Sequence, residues 1–305
     1  ATLRYPPLEA KLLLVRARDE QNLGRHDDAV ATLHRAAITA ERALDAGAAA
    51  DAWNLLVWNR GYLLAFRSEA ELWAGYAAAA IERLGGDDER EGTRLFNLGS
   101  VIWMEGRLDE ATPLLVRARE LMVKSRGPDY WRVASVDDAL AGVALDGGRV
   151  DEALALHRRA AALRIRTLGP DHTLVGASLG WEAVDLIRLG RSDEAIPLLH
   201  RVLELLHREG SDVEDGWPRH RLALALRQKG DFAAALDEDR RSLANLSAHR
   251  HADDPALCAP LRGASADLLA LGRARDAVAD AERALPLCER DGDRFAIADA
   301  QLLLG

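Results

Sequence analysis

The side chains that could do metal chemistry in this sequence are few, and the best arranged are His200, Glu204 and His207. Spacings of four and three residues place them on one face of a helix, and imidazole and carboxylate groups are common metal ligands. The apolar residues Leu199 and Val202 indicate, however, that the packed face of this helix lies elsewhere. We therefore expect the three polar side chains to face solvent and to bind no metal ion.

Other polar pairs are equally weak as catalytic sites. His249 and His251 lie near the end of a helical pattern, and helix caps or solvated faces explain the paired acids Asp87-Asp88 and Asp137-Asp138. The sequence contains no nucleophile elbow and no glycine-rich phosphate loop. We expect this segment to carry no catalytic residue, no cofactor and no metal ion.

The two cysteines, Cys258 and Cys288, are 30 residues apart and do not form a CxxC pair. Small buried helix residues in a reducing compartment explain them more simply than a disulfide or a metal site does. We therefore predict unbonded cysteines and a cytoplasmic location, and we leave open that a longer parent protein is tethered to a membrane.

The composition excludes several classes of function. The chain has 305 residues, with 40 Lys and Arg against 49 Asp and Glu, which gives a net charge of −9. Because the charges are spread evenly and form no basic stripe, nucleic-acid binding is disfavoured. Charged residues interrupt the apolar stretches too often for a membrane-inserted helix. The sequence starts without methionine and ends inside a helical pattern, which we interpret as a piece of a longer polypeptide.

An internal repeat indicates which elements must position any functional side chain. The string Gly-Arg-x-Asp-Glu-Ala begins at Gly106, Gly148 and Gly190. Looser copies bring the total to seven, with successive spacings of 41, 41, 42, 42, 40 and 42 residues. The seven copies begin at Gly24, Ala65, Gly106, Gly148, Gly190, Gly230 and Gly272.

Each copy is typical of a turn between two helices. Glycine ends the first helix because it adopts left-handed backbone angles at little cost, and acidic residues open the second helix, where they complement the helix dipole. An alanine stands five residues after the glycine position in all seven copies, and its small side chain lets the two helices approach closely. Since neither helix can bury its apolar stripe alone, the units must stack.

We therefore predict an all-α fold, a right-handed α-solenoid of about seven helix hairpins and a terminal helix, forming one domain over residues 1–305. The predicted hairpins cover approximately residues 8–46, 50–86, 90–127, 131–169, 173–210, 216–252 and 256–291, and the terminal helix covers 293–305. The second copy lacks the glycine, and we expect an internal aromatic cluster to compensate for it, formed by Trp53, Trp58, Tyr62, Phe66, Trp73 and Tyr76.

These residues resemble the tetratricopeptide repeat family. Leu98-Gly99, Gly106 and Ala111 match its signature of two helices and a turn. The period of about 42 residues, together with the Gly-Pro-Asp loop at 169–171, is similar to the lengthened repeats of kinesin light chains. The resemblance implies a protein-interaction fold.

A second resemblance is to the non-catalytic region of large bacterial, especially myxobacterial, serine/threonine protein kinases. It rests on Pro6-Pro7, on Trp58 in the second unit and on Asn97-Leu98-Gly99. The catalytic strings of those kinases are not in this sequence, and His157-Arg158-Arg159 is not their His-Arg-Asp loop. The resemblance implies the sensing or scaffold arm of a signalling protein.

The tetratricopeptide resemblance also implies that the first helices line a concave groove for a peptide or protein partner. It places Asn97 where such repeats present an amide to a peptide backbone, and it leaves Trp103, Trp181 and Trp217 as binding hot spots or as core residues. The arginines hint at an acidic or carboxylate-terminated peptide, unless they are merely solvated. Carried over by position, the groove residues are Lys11, Arg18, Asn22, Asn59, Tyr62, Phe96, Asn97, Ser100, Trp103, Trp181, Arg188, Trp217, His220, Arg221, Arg227 and Arg262.

The sequence leaves two functions open. One is a binding module for an unidentified protein or peptide. The other is structural, an array that dimerises or packs on a catalytic domain of its own parent protein. Neither function involves nucleic acid or membrane insertion, and a homo-oligomer is compatible with both.

Overall fold

The computed structural model describes residues 5–63, 67–208, 210, 215–291 and 294–303, and all regular structure in those ranges is helical. Two 3₁₀ turns (Arg67–Glu69 and Pro255–Leu257) and one π-helix (Val57–Leu63) interrupt the α-helices. The α-helices are α1 (Pro6–Asn22), α2 (His26–Arg42), α3 (Ala46–Leu56), α4 (Ala70–Arg83), α5 (Asp88–Met104), α6 (Leu108–Arg126), α7 (Trp131–Asp146), α8 (Val150–Leu168), α9 (Thr173–Arg188), α10 (Ser192–Arg208), α11 (Gly216–Gln228), α12 (Phe232–His249), α13 (Cys258–Ala270), α14 (Ala274–Asp291) and α15 (Arg294–Leu302).

The chain divides into two compact units, residues 1–163 and residues 164–305. Within each unit, consecutive helices pack as hairpins, and their facing sides form apolar cores around fully buried side chains such as Leu115 in the first unit and Leu199 in the second. The prediction of an all-helical fold built from helix hairpins is confirmed, while the hairpin boundaries and the single continuous array stay predictions. Among the described helices, none combines the length and the apolar composition that a membrane span requires.

The repeated glycine ends the first helix of a hairpin as predicted. At Gly106 the backbone φ is +78°. The Gly106 N–H donates to the carbonyl of Trp103 at 2.8 Å, and the Arg107 N–H donates to that of Ile102 at 3.2 Å. These two bonds satisfy carbonyls at the helix end that would otherwise lack partners. The other five repeat glycines, Gly24, Gly148, Gly190, Gly230 and Gly272, also have φ between +72° and +80°.

The alanine that follows each turn lies in the tightest part of the hairpin. All seven of these alanines have an exposed fraction of 0%, namely Ala29, Ala70, Ala111, Ala153, Ala195, Ala235 and Ala277. In the third hairpin, the facing helix also carries a small residue, Gly99. A Cβ added to Gly99 would lie only 3.0 Å from Leu115. Interhelical contacts this short leave no room for a longer side chain.

The second hairpin departs from the others where the glycine is missing. Helix α3 continues into the π-helix, and Ala65 and Phe66 lie outside the described residues. The predicted aromatic cluster divides into two groups. Trp53 contacts Tyr76 at a ring distance of 4.9 Å, whereas Trp58 stacks on Tyr62 at 4.4 Å. The second group extends to Phe96 on α5, 5.8 Å from Trp58, so it joins two neighbouring hairpins.

The prediction of unbonded cysteines is wrong. Cys258 and Cys288 form a disulfide, with their Cα atoms 5.2 Å apart. Cys258 begins α13 and Cys288 lies near the end of α14, so the turn between these helices brings the two positions side by side. Both residues are buried, as expected, but the separation along the sequence concealed that they face each other across one hairpin.

We expect reduction of this disulfide to destabilise the second unit. The bond closes a loop of 30 residues, which in the chain-entropy description corresponds to about 3–4 kcal/mol of unfolding free energy. Urea unfolding with and without a thiol reductant measures the difference.

The double variant Cys258→Ala/Cys288→Ala is the control, because its stability should not respond to the reductant. Thiol titration of the denatured, unreduced protein should find no reactive thiol. Two reactive thiols in that titration would contradict the disulfide.

Candidate functional site

Several predicted groove residues are buried and bond within the protein. The Asn97 amide donates to the carbonyl of Asn54 at 2.7 Å, which ties α5 to α3. The Asn59 amide donates to the carbonyl of Leu55 at 2.9 Å, and the Ser100 hydroxyl donates to its own helix. All three side chains are buried, with exposed fractions of 1–5%, and the Asn97 bond joins two helices. Asn97 therefore does not offer this amide N–H to a peptide backbone in this structure.

Trp103 also makes a contact between helices. Its indole N–H donates to Asp146 at 2.7 Å, and its ring lies so close to α7 that a Cβ added to Gly142 would overlap it. Of the two interpretations that the sequence left open for this tryptophan, the structure favours the core residue. The neighbouring Tyr62 and Phe96 are partly buried in the aromatic stack around Trp58, and burial raises the pKa of the Tyr62 phenol.

Arg227 and His220 belong to a buried charge network that joins three helices. The Arg227 guanidinium contacts Asp239 on α12 at 2.7 Å and Asp267 on α13 at 2.7 Å. The His220 Nδ1 atom lies 2.6 Å from the other oxygen of Asp239. Both carboxylates have an exposed fraction of 0%.

Burial shifts the proton affinities inside this network. Desolvation pulls the pKa of Arg227 down, but its bonds to Asp267 and Asp239 outweigh this and hold the pKa above its ordinary value. Burial raises the pKa of Asp267, and Arg227 opposes the rise only in part. Sequence reasoning missed both acids. The available signal was a charged residue at a position where the helical pattern requires an apolar one.

The remaining positions at the chain ends lie on the surface without forming a common site. Lys11 faces Asp45 at 3.8 Å, and Arg262 pairs with Asp299 at 2.6 Å. Arg18 and Asn22 are exposed near the end of α1. Exposed ion pairs of this kind contribute little free energy, so they do not by themselves mark a binding site.

Four of the predicted residues do come together on α9 and α11 of the second unit: Trp181, Arg188, Trp217 and Arg221. We call them the Trp–Arg cluster. The two indole rings meet edge to face, with centroids 5.4 Å apart, and their exposed fractions are 41% and 45%. The Arg221 guanidinium lies 2.9 Å over the Trp217 ring and 5.0 Å from the Trp181 ring. The cluster therefore combines a cation and two exposed aromatic surfaces.

The electrostatics of the cluster are unusual for this arginine-rich protein. Among the described residues, no side chain forms an ion pair or a hydrogen bond with Arg221, which is partly buried. Burial away from water, together with repulsion from Arg188, lowers the pKa of Arg221 from its ordinary value to about 8, and attraction to Asp185 offsets only part of this. An anion placed beside Arg221 would stabilise its charge.

Within the described ranges, no three or more His, Cys, Asp and Glu side chains converge closely enough to hold a metal ion.

We expect Arg227→Ala to destabilise the protein by about 3 kcal/mol, because it leaves two buried carboxylates without their cation. Urea unfolding measures the loss. Arg188→Ala is the matched control, since Arg188 is exposed and its removal should change the unfolding free energy by less than about 0.5 kcal/mol. Equal effects of the two substitutions would contradict the buried network.

Two segments of the chain match family models of the tetratricopeptide repeat, residues 138–174 and residues 177–248. Comparison with the curated proteins gives no significant match. Among solved structures, the kinesin light chain TPR-like repeats of Podosopora anserina share 20% identity, cover 68% of this chain and 99% of their own, and have a TM-score of 0.56.

Two further structures resemble almost the whole chain. A Rap protein complexed with competence and sporulation factor shares 12% identity, covers 97% of this chain and 81% of its own, and has a TM-score of 0.72. A signal transduction ATPase with a tetratricopeptide repeat sensor, from Pyrococcus horikoshii, shares 13% identity, covers 98% of this chain and 45% of its own, and has a TM-score of 0.68. Residues 138–174 and 177–248 thus carry tetratricopeptide repeats, and the chain has the all-helical fold of these solved structures.

Proposed function

We propose that this protein is a binding module for a protein or peptide partner and that the Trp–Arg cluster is its principal contact. The observation that carries the proposal is the pair of exposed tryptophans around a cation that lacks an ion-pair partner among the described residues. Trp and Arg are the residue types most enriched in interface hot spots. Exposed indole surface costs free energy in water, and a partner that covers it recovers that free energy.

The charge of the cluster indicates the chemistry of the partner. Arg188 and Arg221 are close enough for their mutual repulsion to lower the pKa of Arg221. A carboxylate between them would relieve that repulsion and pair with a guanidinium that has lost much of its hydration. We expect the partner to present an acidic side chain or a C-terminal carboxylate beside an apolar group that packs on the indoles.

We further propose that the module is the sensing or scaffold arm of a signalling protein such as a bacterial serine/threonine kinase. The resemblance of Asn97-Leu98-Gly99 and its neighbours to kinase-associated repeats supports this. Among the similar structures, one is a complex with a signalling factor and another is the repeat sensor of a signal transduction ATPase, which is compatible with such a role. A kinase catalytic domain encoded in the same reading frame would support the proposal, and a different catalytic domain there would refute it.

The predicted cytoplasmic location rests on the expectation that both cysteines are unbonded. The Cys258–Cys288 disulfide argues against it, because disulfides persist mainly in oxidising compartments.

A second candidate function is assembly, and helix α1 supports it. Its outer face exposes Leu8, Leu12 and Val15, with exposed fractions of 53%, 60% and 54%. Three neighbouring exposed apolar side chains on one helix face are typical of a surface that packs against another protein. Light scattering separates the two candidates, because a monomer at all concentrations favours the binding module.

To test the binding module, we would select a library of random 12-residue peptides on the immobilised chain. We expect enrichment of Asp, Glu or a free carboxylate terminus in the selected peptides. For a synthesised winner, Trp217→Ala and Arg221→Gln should each weaken binding by roughly 10- to 30-fold, the effect of a hot-spot residue. Fluorescence anisotropy measures the affinity.

Trp131→Ala provides the matched control. Trp131 is likewise exposed, at 43%, and Arg132 lies 5.2 Å over its ring, but it belongs to the first unit. Its substitution should leave the affinity unchanged. The proposal is refuted if no peptide is enriched, or if Trp131→Ala weakens binding as much as Trp217→Ala does.

A further inference from the structure

A cavity of about 860 Å³ lies among helices α9, α10, α11 and α12 of the second unit. Its inner wall is formed by buried small and aliphatic residues, including Gly176, Gly180, Val202 and Leu205. Several other lining residues are exposed, so the cavity is open to solvent and accessible to a ligand.

Two glycines, Gly176 and Gly180, line the inner wall of the cavity. The third hairpin has Gly92 at the position equivalent to Gly176, which allows the two helix contacts to be compared. Gly92 and Gly176 both stand 14 residues before their repeat glycine. A Cβ added to Gly92 would lie 3.1 Å from Met122, whereas the nearest atom to a Cβ on Gly176 is a methyl group of Leu205 at 3.5 Å. One turn further along α9, a Cβ on Gly180 would meet nothing closer than Trp217, at 3.8 Å. The helix contacts at Gly176 and Gly180 are thus looser than the one at Gly92.

The lining of the cavity has two chemically distinct parts. Trp181 and Trp217 add aromatic surface to the aliphatic wall. The exposed side chains at the end of α12 and just after it are His249, Arg250 and His251, which also line the cavity. The lining also contains one carboxylate, that of Asp254, which pairs with the Arg250 guanidinium at 3.2 Å. The rim thus carries more groups that attract an anion than groups that repel one.

We infer that this cavity binds a small organic acid with an aromatic ring system. Its volume lies within the range of about 300–1,000 Å³ that is typical of small-molecule pockets. A single side chain from a peptide would fill only a fraction of it. The ring system would pack on the indoles and the aliphatic wall, and the acidic group would lie at the rim, where Arg250 and the imidazole N–H groups of His249 and His251 can donate hydrogen bonds to it.

This inference shares Trp181 and Trp217 with the proposed function but not its charged groups. Arg188 and Arg221 do not line the cavity, so a peptide held by them and a small molecule in the cavity use different polar groups. Loss of the peptide contact to these arginines can therefore be distinguished from loss of the small molecule's contact at the rim.

The test uses 1-anilinonaphthalene-8-sulfonate, an aromatic acid whose fluorescence rises in apolar surroundings. We expect saturable binding at one site of the intact chain. Gly180→Leu places an isobutyl group beside Trp217 and Val202, where the ring system would pack, and should weaken binding roughly tenfold or more. A leucine in a helix is more favourable than a glycine, so this variant should remain folded, and its thermal unfolding verifies that.

Gly75→Leu is the matched control, because Gly75 is also helical and a Cβ there would meet no atom within 4 Å. The affinity of the Gly75→Leu variant for the probe should equal that of the wild type. Ala177→Phe, at an exposed residue of the lining, is a second blocking variant that needs no space in the core. It should weaken binding as Gly180→Leu does.

Displacement of the probe tests the charge requirement. We expect 2-naphthoic acid to displace it at lower concentration than the neutral 2-naphthalenemethanol, which has the same rings. The inference is overturned if the wild type shows no saturable binding, if both blocking variants bind as the wild type does, or if the neutral compound competes equally well.

Discussion

One close contact, at the alanine five residues after each turn, sets the geometry of every hairpin in this protein. The alanine is completely buried in all seven hairpins. A glycine with positive φ precedes it in six of them, where the chain must reverse within a few residues. Together these two residues fix where the first helix ends and how closely the second returns along it. The other side chains of a hairpin can then vary while the backbone geometry is kept.

That freedom explains why equivalent positions have different roles in different hairpins. Trp103 fills the space over Gly142 and closes one helix contact. Trp181 and Trp217 instead remain exposed beside Arg221, and the glycines behind them leave a cavity. In the following hairpins, Arg227 uses its charge to join α11, α12 and α13 through Asp239 and Asp267. The second unit therefore carries two partly buried arginines on α11, of which Arg227 is paired with carboxylates and Arg221 packs on indole rings.

The sequence predicted the helices and turns because glycine and alanine act through local backbone geometry, which the 42-residue period reveals directly. It assigned Trp181, Trp217 and Arg221 to a predicted groove of sixteen residues, without indicating that these three lie together. The sequence did not predict whether a side chain is buried when that depends on the size of a residue that is distant in the sequence. Whether a tryptophan is core or surface depends on residues such as Gly142, which lie one hairpin away in the sequence. Asn97 and Cys288 show the same limitation, since Asn54 and Cys258 become their neighbours only after the hairpins pack.

The most direct test of the central contact compares two alanines on α2, Ala29 and Ala31. Ala29 is the buried repeat alanine and Ala31 is exposed two residues later. Urea unfolding should show that Ala29→Leu lowers the unfolding free energy by about 1–3 kcal/mol, because the added methylenes force the helices apart. Ala31→Leu should change it by less than about 0.5 kcal/mol. If both substitutions are tolerated equally, the close contact at the repeat alanine does not determine the hairpin.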